Sequence, residues 1–228
     1  MMKYKYTHAG NLAVNLTFLA LIIVFILAWA LRVLDKDKIW HNILGTFYFK
    51  KNIYKAAFIH YKKALDLDPY YFETRNNLGK VYLMKREYSK AKDEFKESIR
   101  LNPGFLAHNK LANVYFQEGD LDLAIAEYAK ALEYKPEDSD IYTNLGIAYY
   151  TKGDLPKAQE SWITAIRLRR ENKDAHNNLG VLYLRNGLYD KARIELEATL
   201  KIDPNHADAI KNMRLLEKIR VDGNANER

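Results

Sequence analysis

The sequence of 228 residues has no cysteine, only five prolines and only ten glycines. The missing cysteines exclude disulfides, thiolate metal sites and a cysteine nucleophile, and they leave the redox compartment open. The low proline and glycine content, with 48% hydrophobic and 29% charged residues, is typical of a helix-rich chain and not of a disordered one. We therefore expect a folded protein.

Motifs of common enzymes are absent as well. The chain has no glycine-rich phosphate loop, no Gly-x-Ser-x-Gly and no His-Glu-x-x-His. His41, His108 and His176 share one position of the repeat described below, but helices pack about 8–10 Å apart, whereas metal ligands lie about 2 Å from the ion. We therefore expect these three histidines to be half-buried packing residues. We expect no catalytic activity, no metal, no cofactor and no small-molecule substrate.

A clustered basic patch is also missing, although the formal net charge is +7. Lys and Arg alternate with Asp and Glu, as in Lys85-Arg86-Glu87. Binding to nucleic acid needs clustered cations and not only an excess of them. We therefore expect a mixed-charge surface and no nucleic-acid partner.

One long uncharged stretch, residues 12–31, lies near the N-terminus, and only Asn15 and Thr17 in it are polar. As a helix it would be about 30 Å long, the thickness of the hydrocarbon core of a bilayer. Tyr4 before it and Trp29 near its end are suited to the two membrane interfaces. We predict a single transmembrane helix at residues 12–31, preceded by a short basic tail (1–11) and followed by a juxtamembrane linker (32–37).

Two alternatives to this anchor are a buried core helix and a cleaved signal peptide. The core helix is disfavoured because the stretch is apolar on all sides. The signal peptide stays open because Ala28-Trp29-Ala30 imitates a cleavage site, although the apolar stretch is longer than usual. Lysines on both sides of the stretch leave the membrane orientation open, and the absence of Gly-x-x-x-Gly within it leaves the oligomeric state open.

A period of 34 residues dominates the rest of the chain. It is plainest in the segments beginning Asn77-Leu78-Gly79, Asn144-Leu145-Gly146 and Asn178-Leu179-Gly180. The same frame recovers Leu44-Gly45 and Leu111-Ala112, which gives five repeats, of which the second is one residue shorter. Twelve residues after each small residue comes an alanine, and a large residue follows four positions later. The alanines are Ala57, Ala91, Ala124, Ala158 and Ala192, and the large residues are Tyr61, Phe95, Tyr128, Trp162 and Leu196.

The spacing predicts two helices per repeat, with each glycine facing the alanine so that the hairpin can close. Gly119 and Gly153 predict left-handed turns, and Asp120 and Asp154 after them predict helix caps. Pro69, Pro103, Pro136 and Pro204 predict the end of each second helix. The fourth repeat has Arg170 instead of proline, so its second helix is expected to run on slightly.

This pattern closely resembles the tetratricopeptide-repeat (TPR) family from residue 38 to about residue 206. The resemblance implies an all-α solenoid of helical hairpins in a right-handed superhelix, here preceded by a single transmembrane helix. The expected repeats 1 to 5 are 38–71, 72–104, 105–138, 139–172 and 173–206. A capping helix at 207–221 and a flexible tail at 222–228 complete the chain.

In TPR proteins the first helices of successive hairpins line a concave groove that binds an extended peptide or a partner helix. Two rows of polar residues fall on these helices, three and two positions before the small residue. Amides of asparagine can hold a peptide main chain without reading its side chains. The alternative is that these asparagines cap or solvate helix starts. The predicted groove residues are Asn42, Asn76, Asn77, Lys80, Asn109, Lys110, Asn113, Thr143, Asn144, Asn177 and Asn178.

The leading functional hypothesis is therefore a membrane-anchored scaffold or adaptor that recruits a protein or peptide partner into its groove and helps to assemble a complex at the membrane. The alternative is a permanent structural subunit of a membrane assembly, which packs through its outer surface and has no groove ligand.

Overall fold

The computed structural model describes residues 36–226, and nearly all of them are helical. The first helix, α1, covers residues 36–50. The ten that follow are α2 (Tyr54–Leu67), α3 (Phe72–Met84), α4 (Tyr88–Leu101), α5 (Phe105–Glu118), α6 (Leu121–Tyr134), α7 (Ser139–Lys152), α8 (Leu155–Leu168), α9 (Lys173–Arg185), α10 (Tyr189–Ile202) and α11 (Ala207–Asn226). Over the described range, these eleven helices confirm the all-α array of helical hairpins.

The chain divides into two compact units between Val81 and Tyr82. In the described part of the first unit, Lys38 and Asp68 form an ion pair, with Nζ and Oδ2 2.9 Å apart, and buried Ala57, Tyr61 and Leu78 belong to the core. In the second unit each helix packs against the next one, and neighbouring hairpins meet through α4 with α5, α6 with α7, α8 with α9 and α10 with α11.

The glycines of repeats 1, 4 and 5 make room for the large side chain of the second helix. A Cβ atom added at Gly45 would lie 2.5 Å from the Tyr61 ring, and one at Gly180 would lie 2.9 Å from Cγ of Leu196. A Cβ added at Gly146 would clash with the Trp162 indole. The large residue four positions after the alanine thus fills the space over the glycine. At Gly180 an added Cβ would also lie 3.5 Å from the Ala192 carbonyl oxygen, so the expected approach of the two helices at the alanine is seen there.

The turns inside the hairpins need a left-handed residue. Gly119 and Gly153 take this conformation, with φ of 89° and 91°, as expected. The Oδ1 atom of Asp154 accepts a hydrogen bond from the Lys157 amide at 3.3 Å, which confirms the cap of α8. Asp120 is the N-cap residue of α6, as expected, but its side chain makes no capping hydrogen bond.

The second helix of repeat 4 does not run on in the absence of proline. It ends at Leu168, after 14 residues, because Arg169 is extended and its amide donates to the Ala165 carbonyl oxygen. Asn172 then caps α9 by accepting from the Ala175 amide at 3.0 Å. All five second helices have 14 residues, so the second helix of repeat 4 ends at the same repeat position without proline.

The predictions for the two ends of the chain concern a C-terminal capping helix and an N-terminal transmembrane helix. The helix α11 continues to Asn226, past residue 221, where the capping helix was expected to end. None of the helices within residues 36–226 has the length and apolarity needed to cross a bilayer. The predicted transmembrane helix at 12–31 lies outside the residues that the structure describes.

Candidate functional site

The two polar rows lie well inside the first helices, not at their starts. Asn109 is the fifth residue of α5, Thr143 the fifth of α7 and Asn177 the fifth of α9. Helix caps come from other residues, such as Asp138 and Asn172. The interpretation of the rows as helix caps is therefore excluded for these positions.

Asparagines of the two rows bind each other across neighbouring first helices. The Asn77 amide donates to Oδ1 of Asn42 at 3.0 Å, and the Asn212 amide donates to Oδ1 of Asn177 at 3.3 Å. Both pairs are 35 residues apart in sequence, so they are the same contact in different repeats. Lys80 also donates to Oδ1 of Asn77 at 3.0 Å. These pairs link adjacent hairpins. They also occupy side-chain amide groups that were predicted to bind a ligand.

The contact is missing in the middle of the array. Asn109 and Asn144 have the same 35-residue separation, yet Oδ1 of Asn109 is buried with no hydrogen-bond partner. Burial of an amide oxygen without a partner costs about 1–3 kcal/mol. The Asn144 side chain instead lines a surface groove. Unlike Asn77 and Asn212, the Asn144 side chain makes no hydrogen bond to a neighbouring repeat within the described residues.

Thr143 is held in a different way. Its hydroxyl donates to the Ser139 carbonyl oxygen at 2.9 Å and accepts from the Asn172 amide at 2.8 Å. The Asn172 amide also contacts Oγ of Ser139 at 2.6 Å. Because Thr143 and Asn172 are both buried, this network connects the start of α7 to the start of α9 and is not open to a ligand.

A groove of about 520 Å³ crosses the first helices α3, α5 and α7. Its volume is within the usual range for ligand sites, about 300–1,000 Å³. We call it the central groove. It is lined by Leu83, Met84, Arg86, Tyr88, Asn113, Phe116, Gln117, Tyr128, Asn144 and Ile147.

The polar lining of the central groove offers mainly amide groups. The Tyr128 hydroxyl donates to Oδ1 of Asn113 at 2.6 Å. Burial raises the pKa of Tyr128 well above its usual range, so this hydroxyl stays protonated and keeps donating. The Asn113 oxygen is therefore occupied, and its NH₂ group is left to donate to a ligand. Asn144 adds a second amide and Gln117 a third.

The remaining lining is apolar, with one cation at the edge. Phe116, Ile147 and Leu83 are half-buried, and 53% of the Met84 side chain is exposed. Arg86 follows α3 with a positive φ of 59° and makes no ion pair among the described residues. The nearby lysines Lys85 and Lys90 pair with Glu87 at 2.9 and 2.7 Å. No acidic residue lines the groove.

The structure thus brings two of the eleven predicted site residues, Asn113 and Asn144, into one groove. Thr143 and Asn177 are buried in contacts between repeats, and Asn42 and Asn77 bind each other. Asn76 is buried and its Oδ1 has no partner, whereas Lys110 and Asn178 are half-buried outside the groove lining. The sequence reasoning missed Phe116, Gln117 and Ile147, which lie one helical turn further along the same faces. Their spacing of three and four residues from the two asparagines was the available signal.

The three histidines pack inside their own hairpins, each against the residue 19 positions later. Nδ1 of His108 lies 2.6 Å from Oε2 of Glu127, Nδ1 of His176 lies 2.6 Å from Oε2 of Glu195, and His41 contacts His60 at 3.1 Å between Nδ1 atoms. His108 is 8% exposed, and His41 and His176 are half-buried. These contacts account for the histidines as packing residues.

Comparison with known proteins finds the same repeat. A model described as TPR repeat matches residues 45–85 and 112–153, and models described as Tetratricopeptide repeat match residues 143–207 and 72–105. BBSome complex member BBS4 of Bos taurus is 35% identical over 94 residues, which are 41% of this chain and 18% of that protein. The match is therefore confined to less than a fifth of the relative.

Two solved structures have the same fold. The pilF protein of Pseudomonas aeruginosa superposes with a TM-score of 0.75 and 19% identity, covering 84% of this chain and 87% of that one. YrrB, described as a TPR protein with an unusual peptide-binding site, superposes with a TM-score of 0.61 and 24% identity, covering 82% of this chain and 97% of that one. At these identities the likeness concerns the fold.

Proposed function

The chain is a TPR protein, a scaffold for protein–protein interaction, and we propose that it binds an extended segment of a partner in the central groove, beside a membrane. The observation that carries this proposal is the missing asparagine contact at Asn144. Asn77 and Asn212, at the equivalent position of other repeats, link two repeats, whereas Asn144 lines the groove next to the NH₂ group of Asn113. The two amides are placed to bind main-chain groups of a peptide.

The other lining residues define the chemistry of the partner segment. Phe116 and Ile147 offer an apolar surface to alternate side chains, and aromatic anchors of this kind carry most of the affinity in many interfaces. Arg86 offers a cation and the groove offers no anion. The proposed ligand is therefore an extended segment with apolar residues and a carboxylate at the Arg86 end.

The membrane location rests on the apolar stretch at residues 12–31. A scaffold anchored there would hold its partner at a high local concentration beside membrane-embedded proteins. Membrane attachment stays a proposal of the sequence, and the groove does not depend on it. The side of the membrane on which the repeats lie is left open.

A peptide-display selection on the full chain, purified in detergent, tests the groove. We expect the selected peptides to combine apolar residues with Asp or Glu and to bind about tenfold more weakly to N144A and F116A, because each variant removes a groove contact. N178A is the matched control, since Asn178 holds the same repeat position outside the groove lining. Equal affinity for N144A, N178A and the unchanged chain contradicts the groove mechanism.

A second candidate is a permanent subunit of a larger assembly. The description of BBS4 as a complex member favours it, although only 18% of that protein is matched. In this case one partner should co-purify in fixed stoichiometry, resist high salt and be retained by N144A and F116A. Loss of the partner in these variants contradicts the permanent subunit and supports binding in the central groove.

A further inference from the structure

Two helical positions that are buried in the later first helices and in α11 are exposed in α1. The residues at the position of Trp40 in the later first helices and in α11 are 0–4% exposed, whereas Trp40 is 57% exposed. At the position of Phe47 they are 0–1% exposed, whereas Phe47 is 53% exposed. The buried residues are Thr74, Ala107, Ile141, Ala175 and Ala209 for the first position, and Val81, Val114, Ala148, Leu182 and Leu216 for the second.

Ile43 lies between Trp40 and Phe47 on the same face and is 52% exposed. At its position four of the five other helices have asparagine and one has lysine. Ile39, 44% exposed, borders this face. We call Ile39, Trp40, Ile43 and Phe47 the α1 face. A terminal hairpin in a solenoid normally presents a polar outer surface, so this apolar face needs an occupant.

The size of these side chains argues against a neighbouring helix of the usual kind. At the stacking positions the later helices have Thr, Ala, Ile, Val or Leu, which allow helices to approach to about 8–10 Å. Trp40 and Phe47 are the largest residues in their two series. A bilayer interface has no fixed shape and accepts side chains of any size, and the amphipathic ring of tryptophan is suited to it.

The charges around the α1 face point to the same occupant. Lys36 and Lys50 lie seven residues before and after Ile43, so they extend its stripe at both ends, and both are exposed. Residues 1–55 contain eight Lys and Arg against two Asp, a net +6 of the total +7. The rest of the chain is nearly neutral. A helix with an apolar face and flanking lysines binds a membrane that contains anionic lipid.

We propose that α1 lies in the interface of an anionic bilayer, with the α1 face among the acyl-chain boundary and Lys36 and Lys50 at lipid phosphates. This inference rests on the membrane location proposed above and is independent of the peptide groove. The apolar stretch ends only five residues before Lys36 in the sequence, which agrees with it. The first hairpin is then part of the membrane contact.

The absence of cysteine allows a direct test with single labelling sites. The full chain carrying I43C is labelled with a fluorophore and reconstituted into vesicles of phosphatidylcholine with phosphatidylserine, some lipids bearing a nitroxide quencher. We expect the label at residue 43 to be quenched at least about threefold more than a label at residue 194, because the α1 face enters the interface. I194C is the matched control, since Ile194 is an apolar residue on α10 that is 63% exposed.

The charge requirement is tested in the same system. Replacing Lys36 and Lys50 together by Glu should lower the quenching at residue 43, and so should vesicles without phosphatidylserine, because each lysine near an anionic surface contributes about fivefold in affinity. A third site, L21C, reports on the apolar stretch itself. Strong quenching at residue 21 with none at residue 43 overturns the proposal while leaving the anchor intact, whereas no quenching at either site overturns both.

Other occupants of the α1 face give distinct results in this assay. A disulfide-linked dimer of unlabelled I43C that forms in vesicles, with no lipid quenching at residue 43, assigns the face to a second copy of the chain and overturns the proposal. Protection of the label at residue 43 only when a partner protein is added has the same consequence. Quenching at residue 43 that depends on phosphatidylserine supports the proposal.

Discussion

The α1 face and the equivalent face of α11 differ in exposure at the two ends of the described range. In α11 the stacking positions are Ala209 and Leu216, both fully buried, whereas in α1 they are Trp40 and Phe47, both more than half exposed. Helix α11 therefore packs against the preceding hairpin, as a capping helix does. Helix α1 keeps the spacing of the repeat, but at the two positions that are buried in the later helices it has the exposed residues Trp40 and Phe47. The exposed apolar residues at these positions of α1 support a contact with something other than a neighbouring repeat.

The largest expected effect comes from truncating the same position at an interior helix and at α1. L182A should lower the free energy of unfolding by about 2–4 kcal/mol, because Leu182 is 1% exposed and a cavity remains. F47A should change it by less than about 0.5 kcal/mol in detergent, because Phe47 is 53% exposed. Urea unfolding followed by circular dichroism measures both. An equal loss for the two variants would show that Phe47 is buried in solution.

Hairpin closure provides the next comparison, between a glycine under a large residue and a glycine in open space. G146A should destabilise the protein by about 1–3 kcal/mol, because the added Cβ meets the Trp162 ring. G104A is the control, since Gly104 has an extended φ of −177° and no atom lies within 4 Å of an added Cβ. Thermal melting of both variants decides the point. A stability of G146A like that of G104A contradicts the role assigned to Gly146.

The polar network between the starts of α7 and α9 should have a smaller effect, about 0.5–2 kcal/mol. N172A removes the cap of α9 and leaves the hydroxyls of Ser139 and Thr143 without their amide donor. Hydrogen exchange should then rise first in α9, since the cap protects its first turn. N186A, at an exposed position after α9, is the control. Unchanged hydrogen exchange in α9 would contradict the stabilising role of Asn172.

The smallest effect concerns pH and has opposite signs in the two units. The hydrogen bond to Glu195 raises the pKa of His176, so its stabilisation is fully present below the unfolded value of 6.5 and is lost as pH rises through the folded pKa. Burial, then repulsion from His41, lowers the pKa of His60, so protonation opposes folding as pH falls below 6.5.

We therefore expect H176Q to melt lower than the unchanged chain at pH 5.5 by more than it does at pH 8. H60Q should show the reverse, with its advantage over the unchanged chain appearing only at pH 5.5. Thermal melts at the two pH values measure both differences. A pH-independent difference for H176Q contradicts the ionic contact with Glu195.

Much of the fold follows from the sequence because each repeat must solve the same packing problem. The 34-residue period located the hairpins, and Gly119 and Gly153 marked two turns, since a left-handed residue is needed there. The partner of Gly45 was not predictable from spacing alone. The separation of 12 residues between Gly45 and Ala57 was evident from the sequence. The close contact between Gly45 and the Tyr61 ring depends on how the two helices cross.

The site was harder to predict than the fold. The rows of asparagines were visible, but the sequence could not show that Asn77 and Asn177 bind neighbouring asparagines while Asn144 does not. That distinction depends on side-chain conformations across different repeats. Similarly, Arg86 enters the groove lining through a turn whose left-handed conformation is taken by arginine and not by glycine.

Photo-crosslinking from residue 144 in native membranes tests the central claim most directly. A photoreactive amino acid is placed at residue 144 or, as the matched control, at residue 178, and trapped partners are identified by mass spectrometry. We expect a discrete protein at residue 144, joined through an extended apolar and acidic segment, and its loss when F116A is added. The same partner trapped equally from residue 178, or adducts at residue 144 that persist with F116A, would contradict a peptide-binding role for the central groove.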